Sequence, residues 1–195
     1  MKGWHIVLLA GMTVFAGGCA TKYVAMDDTY EYRKGPSLAG LDCQFVLGDI
    51  TDARKDKDSL GRLGNSFVND SPNEAARGTG VNNGSETLEW LSHGLHSAGY
   101  LDAVDASKRK VVQVNIILRL AYIHPSLAAK ASNIVLDVVF NDDPNPVIIR
   151  GSSAGVNWAD GAGEIKASFN RSLDDALKQL NNLAIYKCGT TGGSG

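Results

Sequence analysis

The sequence is short of most features that announce a catalyst. Of its 195 residues, four are His, three Cys and five Pro. No glycine-rich stretch closes on Gly-Lys-Ser/Thr, and no dinucleotide fingerprint follows a strand-like run, so the familiar phosphate cradles are excluded. No paired carboxylates stand out for glycoside chemistry, and no Cys–His pair for thiol chemistry. Charge is nearly balanced, with 19 basic and 21 acidic residues and a net charge of −2. That is too mild to call for a nucleic acid or an acidic partner. Long hydrophobic runs are also missing. The longest N-terminal one, residues 6–15, is far below the ~20 residues of a membrane-spanning helix. What remains is 44% hydrophobic and 21% charged, an ordinary globular composition with room for one domain and its core.

The short N-terminal run has a meaning of its own. Lys2, the apolar segment 6–15 and the small residues Ala16-Gly17-Gly18 before Cys19 read as a secretory signal. The ending resembles the lipobox of bacterial lipoproteins, with Ala16 where Leu is usual. This resemblance implies removal of residues 1–18 and acylation of the new N-terminal Cys19, palmitate included. Ala20, not Asp, follows the Cys, which implies the periplasmic face of the outer membrane. Ordinary secretion is the alternative. Residues 19–37 carry charges, Pro36 and scattered tyrosines without periodicity, and read as a lipidated Cys followed by a flexible tether. Tyr23, Tyr30 and Tyr32 are then a partner-binding stripe or simply part of that linker.

With Cys19 assigned to lipid, Cys43 and Cys188 remain as an even pair in an oxidising compartment. A bond between them would staple the two ends of a domain spanning 38–188, with 189–195 a disordered tail. Two buried free thiols are the other reading. Closing a loop of about 145 residues contributes roughly 4–5 kcal/mol in the chain-entropy model.

The strongest structural signal is residues 111–122, where Val112, Val114, Ile116, Leu118, Leu120 and Tyr122 alternate with mixed positions. Period two with one apolar face predicts a half-buried strand. Residues 42–50 predict a shorter strand, apolar on both faces and therefore central. Residues 133–141 predict another, with Ile134, Leu136, Val138 and Phe140 inward, and a fourth runs from 147 to about 158. The polar, glycine-rich stretch up to Gly84 predicts a flexible loop. Ser85 can cap a helix striped by Leu88, Leu91, Leu95 and Ala98 and ended by Gly99. A closing helix carries the stripe Ile165, Phe169, Leu173, Ala176, Leu177, Leu180 and Leu183. The expected fold is α+β: one domain, an antiparallel-rich sheet of about four strands, and two helices on one face.

Three groupings invite chemistry. Glu89, His93 and His96, at i, i+4 and i+7 on the polar side of the first helix, form a candidate Zn²⁺ or Cu²⁺ set, against a plain solvated face. Gly151-Ser152-Ser153-Ala154-Gly155 fits the nucleophile elbow, but the chain continues strand-like and every His precedes Ser153. Small residues in a strand more simply permit close approach of another backbone. Asp49, Asp52 and Arg54 at a strand end suggest an ion-pair and turn network.

With these elements placed, the chain resembles small bacterial envelope lipoproteins, YajG-like in pattern. The features that carry the likeness are Cys19, Asp52-Ala53-Arg54 before Leu63-Gly64, the helix ending Ala98-Gly99-Tyr100, and the Leu-rich closing helix. The resemblance implies neither enzymatic activity nor a cofactor. The expected role is a non-catalytic, lipid-anchored protein that recruits or stabilises an envelope protein complex. Its contact surfaces would be the uncovered sheet face, an edge strand, or the loop at Asn82, Asn83 and Gly84. Carriage of a lipid or small apolar ligand between sheet and helices is the alternative, and a Ser153 hydrolase a remote one.

Overall fold

The computed structural model describes residues 21–26, 30–63, 74–78, 85–104, 110–125, 129–156 and 162–190. Its spine is the long strand read from the sequence, β5 (Lys110–Pro125), because it alone pairs with three others. The remaining elements are β1 (Thr21–Val24), β2 (Cys43–Asp52), β3 (Ser59–Leu63), β4 (Glu74–Gly78), α1 (Ser85–Ser97), β6 (Ala129–Phe140), β7 (Val147–Val156) and α2 (Ala162–Thr190). One sheet runs in the order β1-β4-β3-β5-β6-β7, with β2 paired to the first half of β5 beside β3. The β5-β6-β7 meander is antiparallel, whereas β2 and β3 join β5 in parallel. The α+β architecture is as expected, and three short strands are added to the four long ones.

The core lies between one face of this sheet and the helices. Val112, Val114, Ile116 and Leu118 of β5 face it together with Ile134, Leu136 and Val138 of β6. From α2 come Ile165, Phe169, Leu173, Ala176, Leu177, Leu180 and Ala184, all fully buried. Spacings of three and four residues, with Ala176 and Leu177 adjacent, keep one face turned to the sheet. Helix α1 adds Trp90, whose indole N–H donates to Asn170 Oδ1 at 2.9 Å and whose ring meets Phe169 edge-on. Gly99 closes α1 with φ +104°, a left-handed conformation open to glycine. Tyr100 N then donates to Leu95 O and Gly99 N to His96 O, which satisfies two terminal carbonyls.

Several local expectations are corrected. The alternation of β5 does not run through to Tyr122. The register against β6 shifts between Leu118 and Leu120, and one extra residue turns Leu120 outward while Ala121 and Ile123 become the buried positions. Strand β2 is not central: it pairs with β5 on one side, and on the other, among the described residues, only Leu101 bridges to Val46. The glycine-rich stretch is not all loop, because it contains β3 and β4. Nor is the described part of 19–37 a flexible tether. Val24, Met26, Tyr30, Tyr32 and Leu38 are all buried, and the chain from Tyr30 to Leu41 forms a strap over the two helices. Tyr30 donates to Asp174 at 2.7 Å, Tyr32 N donates to Ser97 Oγ at 2.8 Å, and Pro36 O accepts from Asn181 at 2.8 Å. Cys188 and Lys187 lie inside α2, which runs on to Thr190, so the expected tail is helical at its start.

Candidate functional site

The strands fix where each functional feature stands along the sheet. Strand β3 is parallel to β5, β4 antiparallel to β3, and β1 parallel to β4. Strand β1 therefore runs against β5, and its first residues lie at the C-terminal end of β5. The registers put Lys22 level with Ile123, through Ala76 and Gly61. Cys43 is level with Lys110 at the other end of β5. Thirteen residues of strand separate the two levels, roughly 40 Å at ~3.3 Å per residue.

At the far end, Cys43 and Cys188 form a disulfide with Cα atoms 5.9 Å apart. The bond ties the first long strand to the last turns of α2. Beside it lies a cavity of about 480 Å³. The strap forms one wall through Tyr32 and residues 35–40, α1 contributes Ser97 to Gly99, and β2 contributes Cys43 to Phe45. Leu101, 40% exposed, sits at the rim. Leu101 is also held on the outer edge of β2: its N–H donates to Phe45 O at 2.9 Å, and its carbonyl accepts from Leu47 N at 2.8 Å.

The surroundings contain buried polar atoms that find no hydrogen-bond partner among the described residues: Tyr32 Oη, Tyr100 Oη and Asn181 Oδ1. The Asn181 amide nitrogen is used, donating to Pro36 O and Ala98 O. Burial is the main force raising the phenol pKa of Tyr100, with the nearby Tyr32 adding to it. Tyr32 is raised by burial and then by Asp174. Tyr30 is raised by burial, by its hydrogen bond to Asp174 and by that carboxylate's charge.

The other end is locked without a covalent bond. Arg54 donates to both carboxylate oxygens of Asp52, and also to the carbonyls of Lys57 and Ser59. Their side chains are 4% and 2% exposed. The expected ion-pair network is thus an Asp52–Arg54 clasp across the β2–β3 turn; Asp49 stands apart, its N–H bound to Asn115.

The remaining sequence candidates fall as follows. Glu89 and His93 are exposed on α1, while His96 Nε2 lies 2.6 Å from Asp102. Among the described residues no three His, Cys, Asp or Glu side chains are grouped to hold a metal. Ser153 lies in β7, opposite Ser132, and its hydroxyl accepts from Arg171 Nε at 3.0 Å. Its motif serves packing: a Cβ on Gly151 would stand 2.0 Å from Ser172 O, so the glycine lets α2 approach the strand. The edge of β7 is closed at this point, since Ser152 N donates to Asp175 and Arg150 O accepts from Gln179. Cys19, Asn82, Asn83 and Gly84 lie outside the described residues. The cavity itself was not foreseen. Its wall is drawn from separate stretches of the chain, which leaves no periodic or motif signal.

No family model and no curated protein matches the chain. Among solved structures it is similar to protein XCC0632 from Xanthomonas campestris, of the family described as DUF330. That match has 13% identity and a TM-score of 0.48, over 90% of this chain and 95% of that one. An uncharacterized protein matches at 7% identity and a TM-score of 0.44, over 86% and 97%. A PelC dodecamer from Paraburkholderia phytofirmans matches at 8% and 0.31, over 74% and 93%.

Proposed function

We propose that the protein is a non-catalytic lipoprotein, held by acyl chains on Cys19 at the periplasmic face of the outer membrane, that recruits or stabilises an envelope protein complex. The observation that carries this reading is the placement of β1. Only Ala20 separates the lipobox-like Cys19 from Thr21, the first residue of the sheet. Acylation there would hold the β1 end of the domain against the bilayer and leave the disulfide and cavity roughly 40 Å away along β5. That is the geometry of a short stand-off. The YajG-like features of the sequence support the same role. Ser153, bound to Arg171 and set in a strand, gives hydrolysis no support.

The test is palmitate labelling of the wild type beside Cys19→Ala, with membrane fractionation. Label and membrane association lost together in the variant are the expected result. Absence of label from both would overturn the anchor.

The cavity supports a second reading, an accessory lipoprotein that carries a small apolar ligand. Native mass spectrometry of the purified protein should then show a co-purified mass that Ala98→Leu, which fills the cavity wall, removes.

A further inference from the structure

We infer that residues 35–40 of the strap form a flap, hinged at Gly35 and Gly40, that lifts off the helices and widens the cavity. The flap gives the ligand-carrying reading above a route of loading, and it rests on that reading for its purpose.

The two halves of the strap are held in different ways. Tyr30 is clamped: its ring meets that of Trp90 with centroids 6.3 Å apart, its hydroxyl donates to Asp174, and its edge packs tightly over Gly94. Tyr32 N is tied to Ser97 Oγ. Beyond Gly35 such ties become few. Among the described residues, one hydrogen bond joins residues 35–40 to the rest of the domain, from Asn181 Nδ2 to Pro36 O at 2.8 Å. A second, from Ala39 N to Ser37 Oγ, is internal to the segment. Leu38 is its one buried side chain and packs over Gly99. The segment otherwise borders the cavity, so it has few packing partners to lose.

Both ends of the segment can turn. Gly40 has φ +84°, and nothing stands within 4 Å of where its Cβ would be. Pro36 fixes its own φ, which leaves rotation at that end to Gly35. The Tyr32 hydroxyl fills the place of a Gly35 side chain, so any other residue there would collide with it. The closed form also carries a penalty that lifting relieves. Tyr32 Oη and Asn181 Oδ1 are buried with no hydrogen-bond partner among the described residues. Both belong to side chains that touch the segment, one at Gly35 and the other at Pro36 O. Lifting admits water to them, and that gain works against the cost of exposing Leu38 and breaking the Asn181 bond. The closed form is the resting one, and opening is a local fluctuation that costs far less than unfolding the domain.

The test is hydrogen exchange followed by NMR on the full mature chain in detergent micelles, with no ligand added. The reporter is the Asn181 carboxamide, fully buried and bonded to Pro36 O and Ala98 O in the closed form. In the wild type it should exchange well before the central amides of β5, which wait for global unfolding. Leu38→Ala removes the one apolar hold and should quicken Asn181 exchange roughly ten-fold or more. The Tyr32 amide, on the clamped side of Gly35, should change little. Urea unfolding shows whether this variant is folded, and the milder Leu38→Val should give the same ordering with a smaller effect. Exchange of wild-type Asn181 only at the rate of global unfolding overturns the inference. So does a Leu38→Ala effect shared equally by Tyr32, because the strap would then move as one piece. With no ligand in the experiment, a flap that stays shut is told apart from a cavity that carries nothing, which the native mass spectrometry above reads.

Discussion

The two ends of the sheet are secured in different ways. At the end nearer β1, a buried Arg54 holds Asp52 and two carbonyls of the following turn, a lock made only of hydrogen bonds and charge. At the far end the lock is covalent, Cys43 to Cys188, and it stands beside a cavity and several unpaired buried polar atoms. A well-satisfied end needs no crosslink. An end that keeps open space and unpaired hydroxyls has less to hold it, and the disulfide supplies that deficit by restricting the unfolded chain.

The sharpest way to break this comparison is to remove the crosslink. Cys188→Ser should lower unfolding stability by about 4–5 kcal/mol in the loop-entropy model, read as a lower urea midpoint. Hydrogen exchange should quicken first at Cys43 to Leu47 and at the end of α2, while the Asp52–Ser59 turn stays protected. Next in size is the clasp itself. Arg54→Ala strands the Asp52 carboxylate in a buried site and should cost about 3–5 kcal/mol. Its local effect should be the converse, with faster exchange around β2–β3 and little change at the disulfide.

A smaller change of opposite sign should come from the cavity end. The Tyr100 hydroxyl is buried without a partner among the described residues, so Tyr100→Phe removes a desolvation cost and should raise stability by about 1 kcal/mol. The same burial predicts an alkaline limit. Burial leads the causes that raise the phenol pKa values of Tyr30, Tyr32 and Tyr100 in the folded state. A raised folded pKa means the native state holds its proton longer than the unfolded chain does. The stabilisation is complete below the unfolded value, near 10, and is lost as pH rises toward the folded values. Tyrosinate absorbance from these three rings should therefore appear with unfolding and not before it.

The same contrast explains what could be read in the sequence. The β5-β6-β7 meander and α2 were legible because each buries one continuous face, and burial of one face imposes a period of two or about 3.6. The inversion after Leu118 was not, since a bulge inserts one residue without any compositional mark. The strap was misread for a related reason. Val24, Met26, Tyr30, Tyr32 and Leu38 enter the core singly from an irregular chain, so their burial has no period. The cysteine pair was visible by count, as the even pair left when Cys19 is set aside. The cavity was invisible, because its wall is assembled from β2, the strap and the end of α1, which no period or motif links.

The central claim is that lipid and binding site occupy opposite ends of one rigid sheet. The direct measurement is energy transfer from a donor dye to acceptor-labelled lipid headgroups, with the acylated protein reconstituted in vesicles. The dye is placed at Glu164, at the start of α2 near the β1 end, or at Asn145, in the β6–β7 turn near the disulfide end. Strong transfer from Glu164 and weak transfer from Asn145 is the predicted result, in keeping with their separation of roughly 40 Å along the sheet. Equal transfer from both, or stronger transfer from Asn145, would contradict it.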